Sequence, residues 1–216
     1  MDSRRAESFS DGVFAVAITV LVFSLLDVGH GKISYRSLAA QWPQYAAYVV
    51  SFLSIGIMWL NHHTMLAHVI RVDRITLVLN TFLLMGVVAV PFPTMLVADH
   101  LGPHAPPGGQ AAAVVYGLVL IAISVGFSVM WQYLAAHQER LANRSLRLPW
   151  QATVRFSAGL AGYVVATFVA AFVSPGVALA MYGLIAIYYL FEHLPDPSGR
   201  YDDSGPGTGP ADPAVP

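Results

Sequence analysis

Long apolar stretches dominate this sequence and leave few ways for it to fold in water. Each comes close to the length of about 20 residues that a helix needs to cross the hydrocarbon core of a bilayer. Only 11% of the 216 residues are charged, whereas about 25% are charged in a soluble globular domain. The sequence therefore predicts an all-α integral membrane protein with six transmembrane helices per chain. The predicted spans lie near Ser8–Val28, Gln44–Leu66, Ile75–Ala98, Gln110–Leu134, Ala152–Val173 and Gly176–Phe191.

Composition also excludes several classes of protein. The absence of cysteine excludes a secreted disulfide scaffold. A formal net charge of -1 gives no electrostatic reason to expect a nucleic-acid partner. No phosphate-binding glycine motif is present, and no segment is large enough for an independent soluble enzyme domain. We therefore expect a membrane protein that is not an enzyme.

The distribution of basic residues predicts the orientation. With the N-terminus inside, nine of the eleven Lys and Arg side chains fall on cytoplasmic segments. Only Lys32 and Arg36 fall on the opposite side. This bias follows the positive-inside rule, and it favours an even number of helices with both termini in the cytoplasm. A cell-membrane location is the corresponding expectation.

The C-terminal segment differs in character from the rest of the chain. From Pro195 onward, proline and glycine alternate with aspartate, and such a sequence can neither pack a core nor sustain a helix. We predict a six-helix transmembrane domain over residues 1–194 and a disordered, Pro/Gly-rich cytoplasmic tail over residues 195–216.

Polar side chains cluster at the predicted cytoplasmic ends of the first two helices. Ionisable groups cost about 2.5–3.5 kcal/mol each at the centre of a membrane helix, so those that occur are candidates for function. Because the first helix runs outward and the second returns, residues 8–11 and 61–63 should lie at a similar depth. Their carboxylate, hydroxyl, amide and imidazole groups could satisfy one another's hydrogen bonds. The cluster comprises Arg5, Ser8, Ser10, Asp11, Trp59, Asn61, His62 and His63.

Two of these residues also admit a purely structural interpretation. Ser8-x-x-Asp11 resembles a capping box, with the carboxylate near the positive end of the helix dipole. Capping and a functional network both remain open here. His62 and His63 make a poor metal site, because adjacent helical residues point about 100° apart. We predict neither a metal nor a cofactor.

One face of the first helix could line a pathway. Val16, Thr19 and Phe23 follow a spacing of three and then four, so they form one stripe. Around a symmetry axis, that stripe would stack apolar rings about one ring of hydroxyl groups. Apolar constrictions can gate by dewetting, and oxygen ligands can replace part of an ion's hydration shell. Ordinary helix packing, aided by small residues such as Gly12 and Ala15, explains the same pattern.

The string from Arg5 to Thr19, which contains Phe9-Ser10-Asp11, resembles the R-x-x-x-F-S-D motif of the transmembrane protein 175 potassium channels. Trp59-Leu-Asn61-His62-His63 is similar to a second recurrent element of that family. The match is to the bacterial branch, which has one six-helix unit per chain, and it extends from about residue 4 to residue 192.

This resemblance implies a homotetramer that conducts potassium without the T-V-G-Y-G filter of other potassium channels. The first helix of each subunit would line the pore, with Val16 as the narrowest ring, Thr19 contributing to selectivity and Phe23 as a further ring. Arg5, Phe9, Ser10 and Asp11 would form a network with Trp59 and the residues Asn61, His62 and His63. The family usually has isoleucine or leucine where this chain has Val16, so we expect a wider or less hydrophobic constriction.

Two other functions fit the same residues. A proton-coupled secondary transporter, or a proton pathway, could use Asp11 with His62 or His63 as its titrating pair. A membrane scaffold without transport would follow if every polar side chain were structural. Potassium conduction predicts instead that Asp11 serves mainly to hold the helices together.

Overall fold

The computed structural model describes residues 3–26, 34–67, 69, 71–102, 105–141 and 150–192, and within these ranges it leaves undescribed the side chains of 138, 140, 150–157 and 192. The all-α prediction is confirmed for this part of the chain. The predicted tail over 195–216 lies outside the described residues.

The helices are named here in chain order. The first, α1, spans Ser3–Val20 and continues as a 3₁₀ turn over Leu21–Leu25. The next are α2 (Tyr35–Ala40), α3 (Trp42–Ala67), α4 (Arg74–Ala89) and α5 (Pro91–His100). They are followed by α6 (Gly109–Ala136), α7 (Gln138–Leu141), α8 (Trp150–Phe172) and α9 (Pro175–Glu192).

Four helical segments are long and apolar enough to cross a membrane. They are Ser3–Leu25, Trp42–Ala67, Arg74–His100 and Gly109–Ala136. Within the described residues, the apolar helices Ala158–Phe172 and Pro175–Phe191 are shorter. Helices therefore occupy all six predicted regions, and four of them meet the requirements of a membrane span by length and composition.

The third predicted span is interrupted at one residue rather than continuous. It divides into α4 and α5 at Val90, because Pro91 has no backbone N–H to continue the helical ladder. The Thr94 hydroxyl on α5 donates a hydrogen bond to the carbonyl of Val90 (2.8 Å), which also accepts the backbone N–H of Thr94 (3.2 Å). The Thr94 oxygen lies 2.7 Å from the hydroxyl of Ser51 on α3, so the junction of α4 and α5 is held against α3.

The pore-lining candidate α1 packs on α3 and α4. Its buried side chains recur every three or four residues and form one face. The other face is exposed in the single subunit. Helix α6 packs on α4, α5 and α8, and α9 packs on α3 and α8. The buried face of α1 comprises Ser3, Ala6, Ser10, Phe14 and Ala17.

Candidate functional site

A chain of hydrogen bonds joins the buried face of α1 to α4 and α3. The Asn80 amide on α4 donates from Nδ2 to the Ser10 hydroxyl on α1 (3.0 Å). On its other side, Asn80 Oδ1 lies 2.7 Å from Nε2 of His62 on α3. All three side chains are buried, and Ser10 and His62 are fully so. One amide therefore connects three helices inside the subunit.

The directions of these bonds indicate which ring nitrogen of His62 carries a proton. The Ser10 hydroxyl donates its proton to the Ala6 carbonyl (2.8 Å), so it can only accept from Asn80. Asn80 then presents its oxygen to His62, whose Nε2 must carry the proton. The other ring nitrogen, Nδ1, is buried without a hydrogen-bond partner among the described residues.

Aromatic rings surround the His62 imidazole. The Phe14 ring of α1 lies 5.4 Å away, centroid to centroid, and the Phe127 ring of α6 meets it edge-on at 6.5 Å. An additional proton on His62 would place an uncompensated charge beside these rings, which is costly in an apolar interior. The surroundings therefore favour the neutral imidazole as a structural connector.

A second set of contacts joins α1 to α3 closer to the surface. The Trp59 indole donates from Nε1 to Oδ1 of Asp11 (2.9 Å). One turn earlier on α1, Glu7 Oε1 lies 3.0 Å from Nδ1 of His63. His63 remains 51% exposed, so this pair contributes little to stability.

The structure places the remaining predicted network residues elsewhere. Arg5 and Phe9 are exposed on α1, and Phe9 is 64% exposed. Asn61 points into a separate cavity between α3, α6, α8 and α9. No hydrogen bond joins Asp11 to His62 or His63 within the described part of the chain.

The capping interpretation of Ser8 is wrong. Because α1 already begins by Ser3, Ser8 lies inside the helix rather than at its start. Its hydroxyl donates to the carbonyl of Arg4, four residues earlier (3.0 Å). Asp11 likewise lies more than two turns into the helix, where it serves as the acceptor for Trp59 rather than as a cap.

The predicted pore residues share the exposed face of α1. Val16 is 59% exposed, Phe23 is 50% exposed, and Thr19 lies between them on the same side. The Thr19 hydroxyl donates to the Ala15 carbonyl (2.7 Å). Since its proton is used within the helix, the oxygen lone pairs remain available on the exposed side.

Sequence reasoning missed two residues of this arrangement, Asn80 and Glu7. An amide within the apolar stretch 75–98 was the available signal for Asn80, since a buried side-chain amide requires partners. Asn80 is not ionisable, so the cost of placing a charge in the membrane did not single it out.

Another polar contact fixes the start of α4. Asp73 is the N-cap, and it accepts hydrogen bonds from the backbone N–H and the hydroxyl of Thr76 (2.8 and 2.7 Å). The Tyr133 hydroxyl of α6 donates to its second oxygen (2.5 Å). Desolvation acts to raise the pKa of Asp73, but these hydrogen bonds outweigh it and hold the pKa below its usual value.

Within the described ranges, no three His, Asp or Glu side chains come together in a way that could hold a metal ion.

Comparison with known proteins identifies the family. A potassium channel of Streptomyces collinus is 44% identical to this chain over 204 residues, covering 91% of the chain and 96% of the relative. A model of the family described as endosomal/lysosomal potassium channel TMEM175 matches residues 5–91. The chain belongs to the TMEM175 family.

Two further similarities support this membership. A potassium channel of Chamaesiphon minutus is 38% identical over 195 residues, which cover 87% of this chain and 93% of the relative. The fold is similar to the crystal structure of a lysosomal potassium-selective channel TMEM175 homologue from Chamaesiphon minutus, with a TM-score of 0.75 and 34% identity. That superposition covers 88% of this chain and 97% of the solved chain.

The TMEM175 match coincides with the helices that carry the site. Residues 5–91 include nearly all of α1 and the whole of α3 and α4. Every member of the Ser10–Asn80–His62 chain and the whole exposed stripe of α1 fall inside it. Both faces of α1 therefore belong to the part of the chain that defines the family.

Proposed function

We propose that this chain is the subunit of a potassium-favouring cation channel, a homotetramer whose central pore is lined by α1. Its membership of the TMEM175 family and the potassium channels among its relatives support this function. The structural observation that carries the proposal is the division of α1 into a tightly bonded buried face and an exposed stripe. A pore helix needs both, because it must be held at its back while its front faces the ions.

The stripe has the chemistry of a narrow, selective passage. Val16 presents a branched apolar side chain, and four copies around an axis would form a constriction that excludes water unless it widens. One turn further along the helix, Thr19 directs an oxygen outward because its proton is engaged by Ala15. Four such oxygens could replace part of the hydration shell of a potassium ion. Phe23 would form the next ring.

The buried hydrogen-bond chain would set the rotation of α1. Ser10 is held by Asn80, and Phe14 by its contact with His62. A rotation of α1 about its axis would break the Ser10 bond, so these contacts keep the stripe directed at the axis. Asp11 and Trp59 add a third point of attachment.

The arrangement in the membrane forms part of the same proposal. Six spans per subunit, with both termini in the cytoplasm and the channel in the cell membrane, agree with the basic residues of the sequence. Potassium passes down its own gradient, and no cofactor takes part. A proton-coupled transporter is not favoured, because Asp11 is bonded to Trp59 while His62 is bonded to Asn80 and enclosed by aromatic rings.

Cysteine accessibility tests the pore assignment directly, because the native chain has no cysteine. We expect Thr19→Cys channels in planar bilayers to be blocked by a water-soluble, positively charged thiol reagent. Thr81→Cys is the matched control, since Thr81 is an exposed threonine on α4 with the same kind of intrahelical hydrogen bond (2.8 Å to the Leu77 carbonyl). Block of both variants, or of neither, would contradict the assignment of the stripe to the pore.

A further inference from the structure

A second polar site lies within the subunit, away from α1. A partly open cavity of about 50 Å³ lies between α3, α6, α8 and α9. Its lining includes the side chains of Ser54 and Asn61 from α3, Ser124 from α6, and Tyr163 and Tyr189 from α8 and α9. It therefore combines amide and hydroxyl groups inside an otherwise apolar bundle.

Three of these polar groups have no hydrogen-bond partner within the described part of the chain. They are the Asn61 amide, the Ser124 hydroxyl and the Tyr163 hydroxyl. Tyr163 is only 8% exposed, whereas Asn61 and Ser124 are half-buried. The convergence of these three polar groups on one cavity suits an occupant that forms hydrogen bonds with them.

The lining also defines the chemistry of that occupant. None of the residues around the cavity is charged, so an ion would enter without compensation. One water needs about 10–15 Å³ of cavity measured in this way, so the cavity holds about three to five waters or a molecule of similar bulk. We propose that it is a binding site for a small, uncharged hydroxyl-bearing molecule of the short-chain alcohol class.

The cavity adjoins the hydrogen-bond chain behind α1. Phe127 forms part of its wall, and the same ring packs edge-on against His62. His62 is bonded to Asn80, which is bonded to Ser10 on α1. A molecule that displaces Phe127 would therefore act on the rotation of α1 and so on conduction. This functional consequence rests on the proposed channel function, whereas binding itself does not.

Photolabelling tests binding independently of channel activity. The probe is a diazirine derivative of butanol, applied to purified wild-type protein in detergent, with the adducts mapped by mass spectrometry. We expect adducts on the cavity-lining segments of α3 and α8, and competition by unlabelled butanol. Adducts confined to the exposed surface, or labelling of the lining that butanol does not compete for, would overturn the site.

Two conservative variants and one control sharpen this test. Asn61→Leu and Tyr163→Phe each remove a hydrogen-bonding group with little change of shape, and each should weaken labelling of the cavity about fivefold, as expected for one hydrogen bond. Tyr188→Phe is the control, because Tyr188 is 61% exposed on α9 and does not line the cavity. Equal labelling in all three variants would overturn the proposal.

Bilayer recordings then test the link to conduction. Butanol should change the potassium current of the wild type and of Tyr188→Phe, with a weaker effect in Tyr163→Phe. If labelling occurs but butanol leaves the current unchanged, the coupling through Phe127 is wrong while the binding site stands. If the wild type carries no current, the proposed function fails while the labelling result is unaffected.

Discussion

Replacing Asn80 by leucine should separate the buried connector from the rest of the fold. Leucine has a similar branched shape, so Asn80→Leu removes hydrogen bonds without opening a large cavity. It deletes the bond to Ser10 and leaves the His62 N–H without an acceptor. Helix α4 would then be held to α1 and α3 by apolar contacts, while α1 and α3 would keep the Trp59–Asp11 and His63–Glu7 contacts.

The structure sets the size of this effect. The amide of Asn80 makes two interhelical hydrogen bonds, and such bonds average about 0.6 kcal/mol in membrane proteins, with a maximum of about 1.7 kcal/mol. Both Ser10 and His62 are fully buried, so water cannot replace the lost partner. We therefore expect Asn80→Leu to lower the free energy of unfolding by about 1.2 to 3.4 kcal/mol.

Reversible unfolding in mixed micelles, with increasing mole fraction of SDS, measures this difference. Thr81→Val is the control at the next position, because Thr81 is exposed and bonds only within its own helix. It should change stability by less than about 0.5 kcal/mol. A double-mutant cycle with Ser10→Ala should give a coupling energy of about 0.6 kcal/mol. If Asn80→Leu is no less stable than Thr81→Val, the buried chain does not hold α1 in place.

Two further substitutions test other parts of the structure. Asp73→Ala removes the N-cap of α4 and should cost about 1 kcal/mol at pH 7. Since the pKa of folded Asp73 lies below its ordinary value of 3.8, the advantage of the wild type should be complete at neutral pH. It should decline as the pH falls below that value, and disappear below the folded pKa; a difference that grows on acidification would refute the assignment. Gly117→Ala should destabilise the subunit by about 1–3 kcal/mol, because a Cβ there would collide with the Tyr182 hydroxyl. Gly12→Ala, with open space at its Cβ inside α1, should unfold at an SDS fraction no lower than that of the wild type. A Gly117→Ala variant as stable as Gly12→Ala would show that the packing around α6 is looser than described.

The sequence was sufficient for the helical regions and for much of α1. Hydropathy located the apolar segments because each is long relative to the turns between them. The stripe of Val16, Thr19 and Phe23 followed from helical periodicity alone, and the structure places these residues together on the exposed side. Topology also placed the start of α1 beside the end of α3, where Asp11 bonds to Trp59.

The connections between helices could not be derived in the same way. Asn80 lies on α4, and periodicity does not show which helix turns which face toward α1. Asn61 and His62 are adjacent in sequence, yet one lines a cavity and the other contacts the pore helix, because neighbouring residues point about 100° apart. Capping by Ser8 was one of two open interpretations, and it is wrong because the sequence does not fix where α1 begins.

The reversal potential under a potassium/sodium bi-ionic gradient tests the central claim most directly. Purified wild-type protein in planar bilayers should give a reversal potential displaced toward the potassium equilibrium potential. Thr19→Ala should bring it close to zero, while Thr81→Ala should leave it at the wild-type value. A wild-type current that does not distinguish the two cations, or no current from protein shown to be folded and tetrameric, would contradict a potassium channel lined by α1.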